Sequence, residues 1–165
     1  MSRIAVIDFE TTGLSPVMGD RATEVAIVLV EGGWVVDRFQ SLMNAGVRIP
    51  AFITGLTGIT NAMVAAAPDA ATVMADASRF VGSAPLVAHN ASFDRKFWEA
   101  ELARAGVMTA KAAAQPFACT MLVSRRLYPQ APSHKLAVPT GHWPMPKWRH
   151  RCWARFSTTC APATG

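Results

Sequence analysis

Two acidic residues two positions apart, Asp8 and Glu10, close the apolar run Ile4-Ala5-Val6-Ile7. Such a run reads as a buried strand. Strand side chains alternate between faces, so Asp8 and Glu10 project together while Phe9 turns away. Neighbouring carboxylates repel, and one of them takes up a proton unless a cation neutralises both. Oxygen-only ligands favour Mg²⁺ or Mn²⁺ over zinc. The pair reads as half of a metal site; the alternative is a plain strand end running into a polar turn supplied by Gly13. A third carboxylate, Asp94, follows the short apolar run Pro85-Leu86-Val87-Ala88-His89 and the turn Asn90-Ala91-Ser92. It falls in the first turn of a helix that runs past Leu102 to Gly106. An acid there is favoured by the helix dipole, by about 0.3–1 kcal/mol, which is a purely structural reason for it. A strand-to-helix corner is also where an α/β sheet presents its ligands.

The elements that position these residues follow from periodicity and breakers. Pro16 and Gly19 mark a bend after the first strand. Ala22 to Glu31 is a second strand, and Gly32-Gly33 fits a tight hairpin into a third, Trp34 to Leu42. Ile49 to Thr60 reads as short helical turns joined by loops. Pro68 to Phe80 predicts a packing helix with Val73, Ala77, Phe80 and Val81 on one face and Gly82 to stop it. In the helix that carries Asp94, Phe93, Phe97 and Leu102 give the buried side. Phe117 to Cys119 is a weak strand, and Thr120 to Leu127 a short helix ended by Pro129.

A chain of 165 residues suits one domain with a sizeable core. It has no run of about eighteen uncharged apolar residues and no basic-then-apolar leader, so a soluble, cytoplasmic protein without membrane association is expected. Cys119, Cys152 and Cys160 fit neither a disulfide framework nor a zinc site and read as free thiols. The net charge of +5 conceals a split: all eleven acids lie at or before Glu101 against seven Lys and Arg, a balance of −4, and the remainder has nine Lys and Arg and no acid. A basic half suits a polyanion such as nucleic acid. An acidic site facing a phosphate backbone then needs cations between them.

Four segments, IDFETTG at 7–13, LTGIT at 56–60, VAHNASFD at 87–94 and RRLYP at 125–129, resemble the DEDD 3′–5′ exonucleases. The branch is the DEDDh one, similar to the epsilon proofreading subunit of DNA polymerase III (DnaQ-like, RNase T-like). The resemblance covers about residues 3–136. It implies a ribonuclease H-like α/β fold, a mixed central sheet flanked by helices, with an exonuclease domain over 1–137. It also implies two Mg²⁺ or Mn²⁺ ions, with Asp8 bridging both, Glu10 on the one that activates water and Asp94 on the other. Thr11, Thr12, His89, Asn90 and Phe93 match positions that shape the pocket for the 3′-terminal nucleotide. The implied partner is nucleic acid with a free 3′ end, single-stranded DNA favoured, and a DNA polymerase subunit is a further possible partner. Phosphodiester hydrolysis needs a nucleophile near neutral pH, a clamp on phosphorus and relief for the departing oxygen, which two ions about 3.5–4 Å apart supply. Asp8, Glu10 and Asp94 are expected to converge within the reach of such a pair.

The family's late motif, HxxxxD, is not kept. His150 matches its histidine, the general base, but the position of the aspartate is Arg155, and no acid follows Glu101. An arginine there repels a cation as well as failing to bind it. Residues 138–165 carry three of the five tryptophans, two of the three cysteines and Pro139, Pro144, Pro146 and Pro162. Three readings stay open: an out-of-frame ending that begins near residue 137; a single-strand-binding tail in which Trp143, Trp148 and Trp153 interleave with Lys147, Arg149, Arg151 and Arg155; or a degenerate tail. His134, in Ser133-His134-Lys135-Leu136, reads as structural. The alternative to an exonuclease, impaired or not, is a non-catalytic nucleic-acid-binding or polymerase-associated module on the same fold.

Overall fold

The computed structural model describes residues 3–136. The chain opens with three strands, β1 (Arg3–Thr11), β2 (Ala22–Glu31) and β3 (Trp34–Leu42). Between β2 and β3, Gly32 and Gly33 both take positive φ, 60° and 86°. That is the geometry a two-residue hairpin turn matching the strand twist requires. Three helices follow: α1 (Ala51–Thr57), α2 (Asn61–Ala65) and α3 (Ala70–Val81). Then come β4 (Leu86–Ala88), α4 (Ser92–Arg104), α5 (Ala110–Ala113), β5 (Phe117–Cys119) and α6 (Thr120–Leu127). The described strands make one sheet of order β3-β2-β1-β4-β5, antiparallel across β1, β2 and β3 and parallel from β1 through β4 to β5. This is the mixed sheet that the sequence predicts.

The two faces of β1 differ. Ala5, Ile7 and Phe9 are buried on one face, joined by Val25, Ile27 and Leu29 of β2 and Leu86 and Ala88 of β4. α3 and α4 cover that face. Along α3 the buried residues are Ala70, Val73, Met74, Ala77 and Val81, the i, i+3, i+4 repeat of an amphipathic helix. Met74 thus takes the place that the sequence reading gave to Phe80. Phe80 sits at the margin, its ring centroid 5.6 Å from that of Phe39. In α4 the deepest aromatic beside Phe97 is Trp98, and Phe93 is only partly buried. The short helix α5 was not expected. A second small core of Ile49, Ile53, Ile59 and Val64 holds α1 and α2 together. His134 behaves as the structural residue expected, its Nδ1 3.0 Å from Ser124 Oγ on α6. Cys119 is a free thiol, and the other two cysteines and the whole of 138–165 lie outside the described residues. No helix among the described residues is long and apolar enough to cross a membrane.

Candidate active site

β1 ends at the acidic edge of the open face. Asp8 is exposed there and Glu10 half-buried, while Phe9 between them is in the core. β4 is shorter than β1 and stops at Ala88, so the β1 N–H groups that point toward β4 run out of strand partners. Ala5 N–H donates to Pro85 O at 2.9 Å. Four residues on, Phe9 N–H donates instead to Asp94 Oδ1 at 3.2 Å. The first turn of α4 thereby replaces the missing strand carbonyl with a carboxylate, one residue from Asp8. Asp94 is 2% exposed. Its pKa is raised to about 7, first by burial and then by the charge of Asp8, against the Phe9 N–H that favours the anion.

Asp94 and Asp8 are neighbours, then, but among the described residues no three His, Cys, Asp or Glu side chains gather closely enough to hold an ion by themselves. His150 and Arg155 lie outside the described residues. A further acid, which the sequence reading did not single out, stands at this edge: Glu24 is directly opposite Glu10 in the β1–β2 register. Its carboxylate accepts Gln40 Nε2 at 2.6 Å.

The remaining expected residues form the surrounding turns. Thr11 and Thr12 are buried, and their hydroxyls build the bend after β1: Thr11 Oγ1 donates to Gly13 O at 2.6 Å, and Thr12 Oγ1 accepts Arg21 N–H at 3.0 Å. A side chain at Gly13 would collide with the Asp20 carboxylate, which accepts Ser15 N–H at 2.9 Å. A larger residue there would have to displace that carboxylate from Ser15 N–H. Beyond Gly13 the bend exposes Leu14, Val17 and Met18, an apolar lip missed in the sequence because it carries no ionisable group. Asn90 turns the chain from β4 into α4 with φ 60°, a left-handed conformation that asparagine tolerates better than most residues. Phe93 packs its ring on Phe97 at 5.0 Å.

His89 Nδ1 lies 3.0 Å from Thr120 Oγ1, whose hydroxyl is directed at Ala88 O at 3.4 Å. With the hydroxyl proton given to that carbonyl, Thr120 accepts from Nδ1–H, and Nε2 is left as the acceptor nitrogen. Nε2 is buried with no hydrogen-bond partner among the described residues.

The family model for the RNase T-type exonucleases, described as "Exonuclease", matches residues 5–143. The chain belongs to the DnaQ-like DEDD exonuclease family. It is 40% identical over 131 residues to the PolC-type DNA polymerase III of Bacillus subtilis, covering 79% of this chain and 9% of that protein. It is 41% identical over 137 residues to a DNA polymerase III subunit epsilon-like protein of Rhodobacter capsulatus, covering 82% of this chain and 19% of that protein. Both alignments span less than a fifth of the longer protein. Among solved structures, exonuclease X in complex with 5′-overhanging duplex DNA superposes with a TM-score of 0.61 at 31% identity, covering 80% of this chain and 68% of that one. The mixed five-stranded sheet with its flanking helices is this exonuclease family's ribonuclease H-like architecture.

DEDD exonucleases are typically metal-dependent, and the donor set here can be tested against that. Two carboxylates in contact with one backbone segment, one of them buried and held near pKa 7, form a concentrated negative site of hard oxygen donors. A hard divalent cation relieves both the repulsion and the desolvation. Asp8 and Asp94 are the right type of donor for such an ion, and a third described ligand is not gathered beside them.

Proposed function

We propose that the chain is a 3′–5′ exonuclease that hydrolyses the terminal phosphodiester bond of nucleic acid, with Asp8, Glu10 and Asp94 holding two Mg²⁺ or Mn²⁺ ions. The observation that supports this most is the buried Asp94 carboxylate set on the Phe9 N–H beside Asp8. A packed core does not gain from a buried acid placed beside another. When bound, the ions supply Lewis acidity toward water, phosphate and the leaving 3′ oxygen.

The chain's own residues do the rest. Asp8 is fixed by the centre of the sheet and Asp94 by the first turn of α4, so the two carboxylates present oxygens without waiting for a loop to close. His89, held by Thr120 at Nδ1, shapes the pocket wall beside the terminal nucleotide. The lip of Leu14, Val17 and Met18 offers apolar surface to its base. His150 takes the proton from water in this reading, and Arg155 in place of the fourth carboxylate slows turnover. The basic half of the chain suits single-stranded DNA, and the relatives suggest a polymerase as partner. In this reading 1–137 is the exonuclease domain and 138–165 an ending that does not complete it.

A second reading, a nucleic-acid-binding module that does not turn over, is favoured by one observation: no acid follows Glu101 to complete the ion site. One experiment separates the two. A 3′-labelled single strand is digested under single-turnover conditions by the chain as written, by Asp8→Ala, and by the same chain given an HxxxxD ending. An exonuclease releases 5′-mononucleotides only with Mg²⁺ or Mn²⁺, loses that with Asp8→Ala, and gains a hundredfold or more, roughly, from a fourth carboxylate. Binding of the strand with no release from any version selects the module. Release that survives both Asp8→Ala and chelation removes the ion-based reading.

A further inference from the structure

A second buried carboxylate on α4 has no part in the mechanism above. Glu101 is 1% exposed and accepts from two arginines and a backbone amide. Arg21 grips it with Nε to Oε1 and Nη2 to Oε2, both at 2.9 Å. Arg104 Nη1 and Ala22 N–H reach Oε1 at 3.0 and 3.2 Å. Each arginine is itself anchored, Arg21 Nη1 to Ala45 O at 3.0 Å and Arg104 Nη2 to Pro16 O at 2.7 Å.

We infer that Arg21 and Glu101 are positioning residues for the carboxylate site: their two-pronged pair fixes the rotation and axial place of α4 against the ends of β1 and β2, and so where Asp94 stands relative to Asp8. The inference rests on Asp8 and Asp94 being ion ligands as proposed above.

Three observations carry it. Arg21, immediately before β2, is tied to Thr12, immediately after β1, by two hydrogen bonds, Thr12 N–H to Arg21 O at 2.9 Å and Arg21 N–H to Thr12 Oγ1 at 3.0 Å. Glu101 lies seven residues after Asp94, two helical turns along the same face. The N-terminus of α4 is tied to β5 by Ala91 N–H to Cys119 Sγ at 3.4 Å, but only weakly to β1. It has no side-chain cap, and its one described directional tie to β1 is the 3.2 Å Phe9–Asp94 bond. Phe97, Trp98 and Leu102 bury α4 firmly, but apolar contact is non-directional and tolerates the small rolls and slides that move a ligand oxygen. A displacement of about 1 Å at a reacting centre costs about a hundredfold. The register break between Glu10 and Thr11 makes Thr23 an extra residue, and Glu101 takes the Ala22 N–H at that break. The pair therefore also fixes the bend that follows Glu10.

The test reads ion binding directly, by Mn²⁺ titration of the full chain followed by electron paramagnetic resonance, with no substrate present. Three variants are compared with the unaltered chain: Glu101→Gln, the double replacement Arg21→Met with Glu101→Met, and Asp8→Ala. Replacing a buried ion pair by apolar residues of similar volume costs far less stability than breaking it from one side, so the double variant separates stability from positioning. Ala22 N–H and Arg104 Nη1 lose their acceptor in it, so it is expected to melt below the unaltered chain but above Glu101→Gln. At a temperature where it and the unaltered chain are both folded, it is expected to bind Mn²⁺ about tenfold more weakly, the scale seen when groups behind metal ligands are removed. Unchanged Mn²⁺ affinity in the double variant, with binding lost in Asp8→Ala, overturns the positioning role and leaves the ion site standing. Equal binding by the unaltered chain and Asp8→Ala overturns the ion site and this inference with it. Should the double variant fail to fold, Arg21→Lys reads the same quantity: it keeps the charge and gives up the two-pronged geometry. A several-fold loss of affinity supports the inference, and unaltered affinity overturns it.

Discussion

Asp94 and Glu101 stand on the same face of α4, two turns apart, and both are almost wholly removed from water. Their surroundings are opposite. Glu101 is met by two guanidinium groups and an N–H, and its presence pushes the Arg21 pKa up, mainly through the hydrogen bond between them. Asp94 is met by an N–H of Phe9 and by the negative charge of Asp8, and its pKa is raised to about 7 by burial and that charge. An acid that the fold uses as a fastener is surrounded by donors. Asp94, the acid proposed as an ion ligand, is buried beside another acid and, among the described residues, faces no positive charge as close as those around Glu101. Burial alone does not separate the two; the sign of what faces each carboxylate does.

The largest effect follows from removing the charge at the deficient end. Asn at position 94 can still accept the Phe9 N–H but carries no charge. Asp94→Asn is therefore expected to reduce 3′-end hydrolysis by factors of hundreds or more. Above neutral pH it should also raise the stability of the metal-free chain, on the order of 2 kcal/mol, because a disfavoured ionisation is gone. Single-turnover digestion and urea unfolding at pH 8, roughly, check the two signs together. If the variant is less stable than the unaltered chain, Asp94 is a fastener like Glu101 and the contrast collapses.

At the satisfied end the sign is reversed. Glu101→Gln leaves Arg21, whose side chain is 20% exposed, without its counter-ion. Breaking such a pair from one side costs about 3–5 kcal/mol. Urea unfolding should show the midpoint fall with an unchanged slope. A loss below about 1 kcal/mol, the range of exposed pairs, would mean that solvent reaches the pair in solution.

This contrast was only half legible in the sequence. Asp8 and Glu10 announce themselves by spacing at the end of an apolar run, and Asp94 by its strand-to-helix corner. The order of elements follows from periodicity and breakers, and the Gly32-Gly33 turn fixes how β2 meets β3. Glu101 gives no local signal. Its main partner, Arg21, is 80 residues away, and an acid late in a helix reads as solvated surface. Glu24 opposite Glu10 was hidden for a related reason: β1 and β2 are joined by a long bend and their register breaks beside Glu10, so residue counting cannot align them. The phase error that put Phe80 in the core instead of Met74 came from extending one helical face to the last turn. There Phe80 finds Phe39 at the margin of the sheet instead.

A smaller effect links the two ends through pH. The Asp94 proton leaves the unfolded chain near pH 4, roughly, and the folded chain only near pH 7. Between those values the folded state binds more protons, so this group makes stability fall as pH rises, by up to about 1.4 kcal/mol per pH unit. Mn²⁺ bound at the carboxylates favours their ionised forms and removes that decline. The melting-temperature gain from added Mn²⁺ is therefore expected to grow from about pH 5 to about pH 8, and calorimetric scans at those pH values measure it. A gain that is flat with pH would detach ion binding from Asp94.

The smallest effect is a control on the solvent side of the same helix. Arg95 Nε and Glu99 Oε1 are 2.7 Å apart in an i, i+4 pair, with side chains 51% and 42% exposed. Water screens both charges, and holding two long side chains in one geometry costs entropy, so such pairs contribute about 0.3–0.5 kcal/mol at most. The order is also the weaker one, with the cation nearer the helix N-terminus, where the dipole disfavours it. Glu99→Gln is accordingly expected to change the unfolding free energy by less than about 0.5 kcal/mol, and the change should vanish in about 1 M salt, where screening extends only a few ångströms. Urea unfolding at low and high salt makes the comparison. A loss comparable to that of Glu101→Gln would show that an ion pair on α4 matters wherever it lies, and the distinction drawn from the groups facing Asp94 and Glu101 would lose its physical basis.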